Sequence, residues 1–260
     1  MKLSYKESGN PEASLIVFLH GGGVSGWMWE KQVEYFHDYH CLVPDLPGHG
    51  LSPSPDFTIK DSAEDIFGLI QTKAQGKKVI LIGFSLGAQV AIKLLSMKPE
   101  IADYSIINSA LVRPIPWANK IIKPMVRLTY RLTKNRTFSK LQAKQLYIGA
   151  PYFETYYKET CNMDFNTLIK ILEENMSFSI PAEFRMSKSK ILITVGDKEK
   201  KIMKKSALDI LGKTSNGKAV FIPKMGHGVS LAEPEFFNKM VDAWINDKEL
   251  PSRLTLKGVE

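Results

Sequence analysis

V-I-L-I-G-F-S-L-G-A-Q-V-A-I-K-L-L-S-M, residues 79–97, joins a continuous apolar run, a serine between two glycines and a helical repeat without interruption. An apolar run such as 79–82 is what a strand buried on both faces of a parallel sheet looks like. Residues 86–97 carry helical spacing, and Pro99 lies just beyond their end. Between them, Gly83-Phe84-Ser85-Leu86-Gly87 is a G-x-S-x-G motif. A sharp turn from strand to helix forces its central residue into a strained conformation and brings neighbouring chain close. Glycine two positions to either side relieves that crowding. Ser85 would then project its hydroxyl above the C-terminal edge of the sheet, with the positive end of the following helix behind it. The plainer reading is that Ser85 only caps the helix.

Outward from this stretch, strand and helix patterns alternate. Strands are expected at 15–19, 41–43 and 104–107, and helices at 27–36 and 60–73. The segment 44–50, P-D-L-P-G-H-G, is a loop. From 113 to about 186 no comparable strand occurs. The alternation resumes with strands at 191–195 and 219–222 and helices at 202–211 and 234–245. This order predicts an α/β fold, a mostly parallel sheet flanked by helices, with a helical insertion. The domain reading is an α/β core of 1–112 and 187–260 and a helical cap, or lid, at 113–186. The polar stretch from Asp247 onward is expected to be a loose tail.

A serine hydroxyl needs an adjacent base. Of the five histidines, His37 and His40 are expected at the solvated end of a surface helix. His20 and His49 are expected to be structural hydrogen-bonders. His227, in Lys224-Met225-Gly226-His227-Gly228 after the last core strand, is placed to reach Ser85. The base needs a carboxylate to hold its tautomer. Asp197, in Gly196-Asp197 after the strand at 191–195, is the choice, with Asp103 and Asp45 as weaker candidates. The chain order Ser85, Asp197, His227 suits this fold. An oxyanion hole needs two donors. The N–H of Leu86 supplies one; the run His20-Gly21-Gly22-Gly23 supplies the other, Gly22 first and Gly23 second.

The 260 residues are 44% hydrophobic and 24% charged, which fits a globular protein of one domain plus an insertion. The N-terminus shows no basic start followed by an apolar run, so no signal peptide is expected. Two cysteines, Cys41 and Cys161, argue against a disulfide framework or a zinc site, and a cytoplasmic location is the expectation. The net charge of +8 is concentrated: residues 113–144 hold nine Lys/Arg and no Asp or Glu. On a helix, Lys120, Lys123, Arg127, Arg131 and Lys134 share one face, with Trp117, Ile121, Met125, Leu128 and Leu132 roughly opposite. Pro124 would kink such a helix or mark its first turn. Three readings compete: a solvated face, transient contact with an anionic membrane surface, and attraction of an anionic substrate. Nucleic acid is not expected, because the cations lack interleaved stacking aromatics. The oligomeric state is left open.

With these residues assembled, the chain resembles the α/β-hydrolase family. The H-G-G-G, P-D-L-P-G-H-G-L-S, G-F-S-L-G, G-D and G-H motifs stand in the family order over residues 15–245, the cap excepted. The resemblance implies an eight-stranded, mostly parallel sheet, no cofactor and no metal. A serine at position 85 is similar to the esterase, lipase, lactonase and C–C hydrolase branches. It is unlike the aspartate of haloalkane dehalogenases and epoxide hydrolases. Phe84 departs from the G-N-S-M-G pattern of the C–C hydrolases. The expectation is a serine hydrolase that cleaves a small-molecule carboxylic ester through an acyl-enzyme. The alternatives are a ligand-binding or signalling protein on the same fold, and a cofactor-free lyase on the same triad.

Overall fold

The computed structural model describes residues 3–52, 57–115 and 117–257. Eight strands form one sheet: β1 (Tyr5–Gly9), β2 (Leu15–Leu19), β3 (His40–Pro44), β4 (Val79–Phe84), β5 (Tyr104–Asn108), β6 (Lys190–Gly196), β7 (Gly217–Ile222) and β8 (Thr255–Lys257). Their spatial order is β1-β3-β2-β4-β5-β6-β7-β8. The six inner strands pair in parallel, and the two edge strands β1 and β8 are antiparallel to their neighbours. The expected eight-stranded, mostly parallel sheet flanked by helices is what the chain forms.

Ten helices accompany the sheet among the described residues: α1 (Glu30–Tyr35), α2 (Ile59–Ala74), α3 (Leu86–Met97), α4 (Ala118–Thr133), α5 (Arg136–Gln145), α6 (Ala150–Asn162), α7 (Phe165–Ser177), α8 (Lys201–Leu211), α9 (Val229–Ala232) and α10 (Pro234–Ile245). Side chains alternate across the inner strands. Leu15, Val17, Leu19 and Leu81 pack with α2, α3 and α8 on one face. Ile16, Phe18, Ile80 and Ile82 pack with Trp29, Phe237 and Trp244 on the other. Burial on both faces explains why β2 and β4 read as unbroken apolar runs.

Helices α4–α7 fill the interval between β5 and β6. Ala118, Ile122, Val126 and Ile169 form a small core of their own between α4 and α7. At the end of this interval, the 3-10 turn Ala182–Met186 buries Phe184 in the sheet's own core. Arg113 is tied to Asp209 of α8 by paired hydrogen bonds of 2.5 and 2.7 Å.

Two expectations are corrected. His40 is not on a solvated helix; it is buried in β3, its Nε2 2.8 Å from Glu7 Oε1 of the neighbouring β1. The segment after Asp247 is not wholly loose: Thr255–Lys257 closes the sheet against β7. Cys41 is buried in β3, and burial pushes its thiol up to about 12, which leaves it an unreactive thiol.

Candidate active site

Ser85 stands alone between β4 and α3 with φ 53° and ψ −112°, a conformation that L-residues avoid. The flanking glycines make the turn feasible. A Cβ at Gly83 would lie 2.5 Å from the Gly87 carbonyl oxygen, and one at Gly87 would overlap the carbonyl oxygens of Leu19 and His20. The backbone N–H of Ser85 donates to the Asn108 carbonyl at the end of β5, at 2.9 Å. The hydroxyl is thus held at the carboxyl ends of the parallel strands.

His227 lies in the turn between β7 and α9, with its ring 4.9 Å from that of Phe84, centroid to centroid. Its Nε2 is 3.0 Å from Ser85 Oγ and its Nδ1 2.8 Å from Glu199 Oε2. In the tautomer that fits this chain, Nδ1–H donates to the carboxylate and Nε2 accepts a hydrogen bond from the Ser85 hydroxyl. The carboxylate is therefore Glu199 and not Asp197. Asp197 extends the β6 ladder by donating its N–H to the Ile222 carbonyl, and its side chain is exposed. The chain then turns: the Glu199 N–H donates to the Gly196 carbonyl, which folds Glu199 back under the sheet edge. Its Oε1 accepts from Ser109 Oγ at 2.7 Å and from the Gly196 N–H at 2.9 Å.

The Glu199 side chain is 2% exposed and that of His227 31%. Burial pushes the Glu199 carboxyl upward, but hydrogen bonds from His227, Ser109 and Gly196 outweigh it and hold the group below its ordinary value. An ionised, buried carboxylate behind a half-open imidazole is what orients a general base.

The glycine run lies against this chain. The position of a Cβ on Gly21 is 3.5 Å from Ser85 Cβ, and on Gly22 it is 3.6 Å from Leu86 Cδ2. Gly23, at φ +76°, has nothing within that reach and lines a cavity of about 340 Å³ with His49, Glu159 and Thr167. Of the two proposed glycines, Gly22 is the one brought to Leu86. Leu86 is the first residue of α3, so its N–H has no intrahelical acceptor. His20 braces the run: its Nδ1 is 2.8 Å from the Gly21 carbonyl, and its Nε2 accepts the Leu46 N–H at 2.8 Å. Burial drives His20 down to about 4 and His49 to about 3, so both stay neutral. Asp45 accepts the N–H groups of Gly26 and Leu51, and Asp103 that of Val79 at the far edge of the sheet; neither weaker candidate for the acid reaches His227.

The inserted helices reach the site from above. Ile171 of α7 packs 3.6 Å from the Gly22 Cβ position, and Tyr147 Oη accepts the Gly226 N–H at 3.1 Å beside His227. Glu159 of α6 accepts from Ser25 Oγ at 2.7 Å and Trp27 Nε1 at 2.9 Å, fastening the insertion to the loop that continues the glycine run.

Residues 16–240 match the model of the alpha/beta hydrolase family. The chain belongs to this family. Among curated proteins it is similar to an AB hydrolase superfamily protein of Gibberella zeae, with 30% identity over 120 residues covering 43% of each chain. It is also similar to a 2-succinyl-6-hydroxy-2,4-cyclohexadiene-1-carboxylate synthase of Escherichia coli O1:K1, with 34% identity over 94 residues, 35% of this chain and 36% of the relative. The matched stretches span less than half the length of these curated relatives. A thermophilic esterase from Thermogutta terrifontis has the same fold, with a TM-score of 0.78 at 18% identity over 94% of this chain and 93% of that one. No helix among the described residues of this α/β hydrolase is long and apolar enough to cross a membrane.

Proposed function

We propose that the protein is a serine hydrolase that cleaves a carboxylic ester through an acyl-enzyme on Ser85. The observation that carries this reading is the unbroken hydrogen-bonded chain Ser85–His227–Glu199, at 3.0 and 2.8 Å, on a strained strand-to-helix turn. The fold shared with an esterase supports it.

As Ser85 Oγ attacks the ester carbonyl carbon, His227 Nε2 takes the hydroxyl proton. Glu199 stabilises the imidazolium that forms. The carbonyl oxygen becomes an oxyanion facing the N–H groups of Leu86 and Gly22, and such donors are worth roughly 10²- to 10³-fold each. The C–O bond to the alcohol breaks as His227 returns its proton to the leaving oxygen. Water then enters, gives its proton to His227, attacks the acyl carbon, and Ser85 leaves reprotonated. No cofactor is needed in these steps. Helices α4–α7 act as a lid over the glycine run, with residues 1–112 and 187–260 as the catalytic core. Two free thiols suit a reducing compartment, which supports placing the protein in the cytoplasm.

A series of p-nitrophenyl esters from acetyl to long chain tests the reading. Turnover is expected with at least one member and should fall by several orders of magnitude in Ser85→Ala. Turnover that survives this change would end it. Reaction of Ser85 with a fluorophosphonate without turnover of any ester would point instead to a lyase on the same triad.

A further inference from the structure

We propose that the exposed face of α4 is a docking surface for anionic lipid bilayers. Helix α4 carries two apolar stripes. Ala118, Ile122 and Val126 are buried against α7. Ile121, Met125, Leu128 and Leu132, with Trp117 at the helix start, are exposed, Leu128 at 81% and Trp117 at 61%. Twelve large apolar side chains are exposed among the described residues; four of them fall on this one element and a fifth, Trp117, at its N-cap. A hydrophobic surface concentrated in this way marks a contact site rather than scattered exposure.

The charges decide the occupant. Pro124 lies inside α4 and does not divide it, so Lys120, Lys123, Arg127 and Arg131 all ride on a single helix, with Lys134 at its C-cap. At about 100° per residue they form a band along one flank of the exposed apolar stripe. All five are exposed, and none has a carboxylate partner among the described residues. No Asp or Glu occurs anywhere from 113 to 144. A bare helix face of leucine, methionine, isoleucine and tryptophan beside a band of cations without carboxylate partners, Lys134 also lying over the Tyr130 ring, matches the layering of an anionic bilayer surface. The apolar stripe enters the acyl boundary, and the long basic side chains reach back to the headgroups. Phosphate on a nucleic acid would satisfy the cations and leave the leucines in water. The proposal concerns where the protein sits, and it stands whether or not Ser85 turns over esters.

The test is partition of the intact protein onto vesicles of phosphatidylcholine alone or phosphatidylcholine with phosphatidylglycerol. Three of the four tryptophans are buried, so a blue shift in emission on binding reports Trp117. Binding is expected only with the anionic lipid and should weaken with salt. Leu128→Ser and Leu132→Ser should each weaken it roughly tenfold, and Arg127→Gln with Arg131→Gln should weaken it further. Thermal melting curves check that each variant is folded. Absence of binding at low salt would overturn the proposal, as would binding indifferent to these four substitutions. A stable dimer without lipid that the leucine variants dissolve would also overturn it, because a second copy would then own the face.

Discussion

At the scale of single residues, the decision between Asp197 and Glu199 carries the most chemistry. Both are carboxylates in the same turn after β6, and the Gly196-Asp197 motif favours the first. The sequence showed correctly that an acid stands at this strand end. It could not show that β6 continues for one more residue, which points Asp197 outward, or that a turn closes Glu199 back onto Gly196. The longer glutamate side chain spans the extra distance to His227. Ser109, which braces Glu199, carries no motif; only the pairing of β5 with β6 brings it to the carboxylate. Glu199→Gln should therefore lower kcat by roughly 10⁴-fold, because an amide cannot hold the imidazole in its tautomer or balance its charge. Asp197→Asn should leave kcat close to that of the parent protein. Steady-state turnover of a p-nitrophenyl ester by the two variants separates the assignments.

At the scale of elements, the legible parts are those buried on two faces. Strands β2 and β4 and helix α3 have contiguous or periodic apolar patterns, and their positions follow from the sequence. The edge strands β1 and β8 are short and largely exposed, so no apolar run marks them. They exist because backbone groups of β3 and β7 would otherwise lack partners. Helix α4 ran against a different limit: a proline usually ends a helix, but packing of Ala118, Ile122 and Val126 against α7 holds this one through Pro124. The strand-to-helix turn at Ser85 depends on close approach of β2 to α3 at Gly87. Gly87→Ala should destabilise the fold by about 1–3 kcal/mol and displace Ser85, seen as a lower melting temperature together with reduced turnover. Glu159→Ala should leave Ser25 and Trp27 without their acceptor, costing about 1–3 kcal/mol. Denaturant titration measures that loss, and slower turnover would show that α6 steadies the glycine run.

At the scale of the whole molecule, the site is a junction held by buried polar groups, and these make the fold sensitive to acid. His20 and His49 are kept neutral by burial, at about 4 and about 3 against an ordinary 6.5. Between those values and 6.5 the unfolded chain binds protons that the folded chain refuses. Stability is thus complete above about pH 6.5 and falls as the pH drops toward 4, by about 3 kcal/mol for His20 alone. The depressed Glu199 carboxyl adds a loss in the same direction at lower pH, as it becomes protonated. Urea unfolding at pH 7 and pH 5 should show the decline, and His49→Gln should flatten it.

The central claim is that Ser85 is the nucleophile, activated through His227 and Glu199. Mass analysis of the protein after brief exposure to a fluorophosphonate tests this directly. A single adduct on the peptide containing Ser85 is predicted, absent in Ser85→Ala, much slower in Glu199→Gln and undiminished in Asp197→Asn. An unmodified Ser85, or labelling as fast in Glu199→Gln as in the parent protein, would contradict it.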